Sequence, residues 1–151
     1  MKFELLLNYT ANLTGAVELG ATPYGNRTIF EVGGGVVTGD RISGTIREPS
    51  AADWMYLTED FGHLDVRATI ETNDGAGIYL EYLGKLEFTD AVKAALGGEE
   101  ITTNFGDQYF FTNPRLQTGD ERYKWVNNLF CVGQGRLLPG QVEYNVYQVV
   151  H

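Results

Sequence analysis

At 151 residues and a formal net charge of −9, the chain lacks the basic footprint that nucleic-acid phosphates demand, and anionic lipid headgroups would repel it. Hydrophobic residues make up 43% and aromatics 13% of it, which excludes a disordered chain and suits one domain, residues 1–151, with its own core. A single cysteine, Cys131, and two histidines exclude an internal disulfide, a thiolate cage and a His-rich metal site, so no metal is expected.

The segment from Met1 to Tyr9 has neither the long apolar core nor the small-residue cleavage site of a signal peptide, and no run approaches the ~18 apolar residues of a membrane span. A cytoplasmic protein with no membrane partner is expected. Lys2 to Tyr9 and Thr14 to Leu19 read as short alternating strands separated by turn residues, and Arg27 to Val32 as a third. The triplet Gly33-Gly34-Gly35 lacks the Lys-Ser/Thr and the following helix of a phosphate loop, so it predicts a bulge or bend rather than a nucleotide site. Val36 to Thr38, Arg41 to Ile46, Trp54 to Leu57 and His63 to Thr72 continue the strand pattern.

Asn73-Asp74-Gly75 is a strong hairpin turn. With these three residues as the loop, Ile70 faces Ile78, Ala68 faces Leu80 and Val66 faces Tyr82, while Thr69 meets Tyr79 and Arg67 meets Glu81 within ion-pair reach. A slip of one residue would mix apolar with polar partners. Alternation alone leaves open which face lines the interior. Past Ile78 to Gly84, Thr89 or Asp90 can cap the short helix Ala91 to Leu96, and Gly97-Gly98 stops it. Gln108 to Thr112, Tyr123 to Val132 and Val142 to Val149 complete the strands, with turn signals at the spacing of an all-β barrel or sandwich.

No nucleophile elbow occurs, and a histidine-dependent triad could draw only on His63. Cys131 lies in the apolar run Leu129-Phe130-Cys131-Val132, the setting of a buried inert thiol. The remaining inventory is polar and aromatic. Asp65 and Tyr79 are candidates to move a proton, with Arg67 and Asn127 to hold a carbonyl or carboxylate. Asp53, Trp54, Tyr109, Tyr123 and Trp125 are candidates to wall a small aromatic ligand. Trp125 and Asn127, two apart on a predicted strand, would share one face and one cavity with Arg67 and Tyr79.

Three stretches together resemble the domain-of-unknown-function family 3237, calycin-like barrels. The first runs from Gly34-Gly35 through Gly39-Asp40-Arg41-Ile42-Ser43-Gly44 to Asp53-Trp54. The second joins Asp65-Val66-Arg67 to Thr72-Asn73-Asp74-Gly75-Ala76 and Ile78-Tyr79. The third contains Pro114-Arg115, Thr118-Gly119-Asp120, Arg122-Tyr123, Trp125-Val126-Asn127 and Gly133-Gln134-Gly135. The resemblance implies a closed antiparallel barrel of about eight to ten strands around a short helix, assembling as a homo-oligomer, with no established activity. The expectation is an all-β barrel that handles a small molecule. It would be a cofactor-independent isomerase, lyase or cyclase, or alternatively a lipocalin-like binding protein.

Overall fold

The structure, a computed structural model, describes residues 1–151. Eleven strands and one helix follow in order: β1 (Lys2–Thr22), β2 (Gly25–Val32), β3 (Gly35–Thr38), β4 (Gly44–Ile46), β5 (Ala52–Leu57), β6 (Phe61–Thr72), β7 (Gly77–Glu87), α1 (Asp90–Leu96), β8 (Phe110–Thr112), β9 (Arg115–Gln117), β10 (Cys131–Leu138) and β11 (Gln141–Val150). Every pairing is antiparallel. They run β1–β2–β5–β6–β7–β8–β10–β11 and back to β1, an unbroken ring of hydrogen bonds around a barrel-like interior. Between β1 and β6, β3 and β4 bridge one end of the ring, and β9 adds to β7. No helix is long and apolar enough to cross a membrane.

The first two predicted strands are one. Asn12 and Leu13 do not turn the chain. They precede a register shift between Leu13 and Gly15, and further shifts at Leu5/Leu7 and Glu18/Gly20 bend β1 so that it changes partners along its length. Its first half pairs with β11 and β3, its second half with β2.

The central hairpin has the predicted register, with Ile70 opposite Ile78, Ala68 opposite Leu80 and Val66 opposite Tyr82. These six are buried in the 26-residue hydrophobic core, so the apolar face is the inner one. The turn closes through Thr72 N–H to Ala76 O (2.9 Å) and Gly75 N–H to Thr72 O (3.0 Å), and Gly75 takes the left-handed φ of +89° that the loop requires. The polar face lies outside. Arg67 and Glu81 are opposite each other there but form no ion pair. Glu81 instead accepts from the Tyr79 hydroxyl (2.9 Å) and sits 3.4 Å from Arg115, while the Arg67 guanidinium lies over the Trp54 ring.

Helix α1 starts where the sequence places it, with the Thr89 hydroxyl accepting from Val92 N–H (3.3 Å) and Gly97 at its carboxyl end. The predicted strand Tyr123 to Val132 does not form over its first half. Lys124–Asn128 is a 3-10 turn instead, and the strand begins at Cys131. The cause is local side-chain competition for the backbone. Asp120 accepts from the Arg122 N–H (2.9 Å), and the Asn127 amide accepts from the Thr118 N–H (2.8 Å) and donates to the Thr118 carbonyl (3.0 Å). With the strand gone, the spacing of two between Trp125 and Asn127 no longer gives them a common face.

Candidate functional site in the barrel interior

On β5 the side chains alternate: Asp53 and Met55 point into the ring, Trp54 and Tyr56 out of it. Asp53 is the one acidic residue buried among these strands, 8% exposed, beside Phe30 on β2 and Val66 on β6. One carboxylate oxygen accepts the Asp65 backbone N–H at 3.0 Å. Burial pushes the Asp53 carboxyl up from 3.8 to about 7. The Asp65 N–H offsets part of this rise, the Asp65 charge adds to it, and the Arg27 guanidinium opposes it.

Three tyrosines face the same interior from β1, β7 and β11. The rings of Tyr9 and Tyr144, register partners, stack at 4.9 Å, and Tyr82 meets Tyr144 edge-on at 5.5 Å. Phe110 closes the group at 5.3 Å from Tyr144. It fits because Gly135 lies beneath it, where a Cβ would come within 2.7 Å of the Phe110 ring. Burial holds all three phenols well above their ordinary value, so they stay protonated hydrogen-bond donors. The Tyr9 hydroxyl is fully enclosed and has no hydrogen-bond partner.

These groups flank a cavity of about 540 Å³, of the size that takes a small organic ligand. Asp53, Tyr82, Tyr144 and Phe110 are buried in its lining, together with the aliphatic walls Met55, Leu64, Val66 and Leu86. The mouth lies between the end of α1, at Leu96, Gly98, Glu99 and Glu100, and the turn joining β10 to β11, at Gly140 and Gln141. A carboxylic acid that titrates near neutrality beside phenolic donors, in a largely apolar chamber, can accept or deliver a proton without competition from bulk water.

Of the nine residues singled out from sequence, Asp53 alone lines this cavity. Asp65, Arg67 and Tyr79 occupy the outer face of β6 and β7, and Trp54 lies outside under Arg67, 4.3 Å from ring centroid to guanidinium. Asp65 still bears on the site, through the backbone N–H that holds Asp53. Tyr109 is exposed among Phe61 and Phe111. Tyr123 donates to the Asp74 carboxylate (2.9 Å), Trp125 lies 3.5 Å beneath Arg41, and Asn127 ties down Thr118. The expected meeting of Arg67, Tyr79, Asn127 and Trp125 in one cavity is therefore not found. Replacing Arg67 with methionine should change stability by less than about 1 kcal/mol, the scale of an exposed cation–π contact, as read by urea unfolding. A loss several times larger would give Arg67 a structural role that its placement does not suggest.

Sequence reasoning missed Tyr9, Tyr82 and Tyr144. The available signal was Tyr82 itself, a hydroxyl-bearing residue on the otherwise aliphatic face of the hairpin. His63, also outward, stacks on Tyr56 at 4.3 Å and accepts from Lys85 (2.6 Å). No group of three His, Cys, Asp or Glu side chains is placed to hold a metal ion.

Comparison with known proteins agrees with this architecture. The profile of a family described as "Protein of unknown function (DUF3237)" matches residues 1–149. A UPF0311 protein of Rhodopseudomonas palustris is 28% identical over 99% of this chain and 97% of its own length, and its crystal structure superposes with a TM-score of 0.90. A protein of Acinetobacter baumannii described as β-barrel-like is 26% identical, covering 97% of this chain and 94% of that one, with a TM-score of 0.80. A protein of Penicillium herquei described as an enzyme is 17% identical over 99% of this chain and 94% of its own, with a TM-score of 0.69, a likeness of fold alone.

Proposed function

Because the chain belongs to the DUF3237 family, whose description assigns no function, we propose from the cavity itself that it is a cofactor-independent enzyme moving a proton on a small, partly aromatic substrate, as an isomerase, lyase or cyclase does. One observation carries the reading: a carboxyl group poised near pH 7, buried in the lining of a largely apolar chamber. In its ionised form Asp53 takes a proton from a carbon or oxygen acid, and in its protonated form it returns one. Tyr82 and Tyr144, neutral phenols in the same lining, donate hydrogen bonds to the oxyanion that develops when the proton leaves. The apolar walls hold the substrate's ring system and exclude water. The Penicillium herquei neighbour, described as an enzyme, supports this at the level of fold.

The assay needs no knowledge of the natural substrate. Proton abstraction from 2-acetonaphthone, an enolisable aromatic ketone, is followed in D2O by loss of the methyl signal in the NMR spectrum. Exchange should run above the buffer rate, rise as pH climbs through about 7, and fall about a hundredfold or more in Asp53→Asn. Exchange unaffected by that substitution would remove Asp53 from the chemistry. The chamber's largely apolar lining also suits simple carriage of a ligand. That second reading takes over if the ketone binds and its exchange stays at the buffer rate.

A further inference from the structure

The lining is as informative for what it omits as for what it contains. Its charged members are Asp53, Glu99 and Glu100, with no lysine, arginine or histidine among them. Glu99 and Glu100 are exposed at the mouth, and neither takes part in any ion pair of the molecule. The chain leading to them is tied to the helix, since Glu99 N–H donates to Ala94 O (3.1 Å) and Gly98 N–H to Ala95 O (3.1 Å). The nearest basic residue on α1, Lys93, is exposed and not part of the lining. A ligand therefore passes two uncompensated carboxylates before meeting a third buried inside, on a chain whose net charge is −9.

We propose that this cavity selects by charge, taking uncharged or cationic apolar molecules and rejecting carboxylates, sulfonates and phosphates, with Glu99 and Glu100 as the filter at its mouth. The proposal rests on the interior being the ligand site, and it adds the class of ligand admitted. An anion would face like charges at the mouth and then lose its hydration in a chamber with no cation to replace it. A ligand bearing an ammonium group meets the opposite situation: carboxylates at the mouth and inside, with the aromatic rings of Tyr82, Tyr144 and Phe110 in the same lining as Asp53. A neutral ligand is indifferent to the filter. Substrates activated as acyl phosphates or coenzyme thioesters, which carry several negative charges, are excluded as a class.

The test is displacement of the fluorescent probe N-phenyl-1-naphthylamine by three competitors with one aromatic body: 2-(2-naphthyl)ethanol, 2-(2-naphthyl)ethylamine and 2-naphthylacetate. At pH 7.5 and low salt the amine should compete at least as well as the alcohol, and the acetate about thirtyfold worse or more. The double variant E99Q/E100Q should narrow the gap between acetate and alcohol about fivefold, leave the alcohol unchanged and leave the melting temperature unchanged, because exposed charges are screened yet still sum where both line one entrance. An acetate within threefold of the alcohol, or a gap the double variant does not narrow, overturns the filter while leaving the ligand site standing. Failure of the probe and all three competitors to bind overturns both.

Discussion

Replacing Asp53 with asparagine should make the protein more stable at pH 8 and flatten the dependence of its stability on pH. The carboxyl titrates at about 7 in the folded protein against an ordinary value of 3.8. Below about pH 4 both the folded and the unfolded chain hold this proton. Between 4 and 7 the folded chain still holds it while the unfolded chain has released it, so stability falls as pH rises through this window and stays low above it. Three pKa units correspond to at most about 4 kcal/mol. Asparagine keeps the oxygen that accepts the Asp65 N–H, but its buried amide lacks a fixed partner, and that costs about 1–2 kcal/mol. A net gain of about 2 kcal/mol at pH 8 and none at pH 5 is the expected outcome of urea titrations on both proteins. Other groups titrate across this range as well, so the difference between the two proteins is the quantity to follow. If the wild type loses no stability relative to the variant between pH 5 and 8, Asp53 is ionised and well solvated, and the proton chemistry assigned to it fails.

The second large effect is steric. Gly35 and Gly44 sit where β3 and β4 cross close over β1 and β6, and a Cβ on either would fall inside the van der Waals radius of a backbone carbonyl oxygen, that of Thr10 or of Glu71. A backbone oxygen in a paired strand cannot swing aside as a side chain could. Gly44→Ala should therefore cost more than about 3 kcal/mol or yield insoluble protein, and Gly35→Ala likewise. Gly119→Ala is the control: no atom lies within 4 Å of its added Cβ, so its cost should be within about 0.5 kcal/mol. If Gly44→Ala unfolds at the wild-type urea midpoint, the approach of β4 to β6 is looser than the structure has it.

The strand architecture was legible because alternation and turn chemistry are local. Asn73-Asp74-Gly75 and the matched pairs on either side sufficed for the hairpin register, and Thr89 with Gly97-Gly98 sufficed for the helix. Alternation marks two faces and leaves unmarked which of them is inner, so Arg67 and Tyr79 were assigned to a cavity from which they point away. Tyr123 to Val132 misled for a different reason. Its aromatic and β-branched residues favour a strand, but Asp120 and Asn127 capture nearby backbone groups, and no propensity scale registers a capture that depends on Thr118. The tyrosine group could not be read at all, because Tyr9, Tyr82 and Tyr144 meet only once β1, β7 and β11 are wrapped around one interior. Asp53 was selected from sequence as a binding residue beside Trp54. The fold separates the two onto opposite faces and gives the aspartate the deeper position.

The ring also fixes an order of events during folding. The pairing of β1 with β11 joins residues as far apart in sequence as Lys2 and Val150, 148 positions away. Translation presents β1 long before β11, so until β11 emerges the first half of β1 carries an unmatched row of backbone donors and acceptors. Hairpins such as β6–β7 can form early, but the step that completes the ring waits for β11, which makes folding slow for the chain's size. A nascent or truncated chain ending before Gln141 presents the first half of β1 as a long unpaired strand edge to its neighbours. The same pairing that closes the ring in the finished protein leaves its unfinished form open to pairing with other chains.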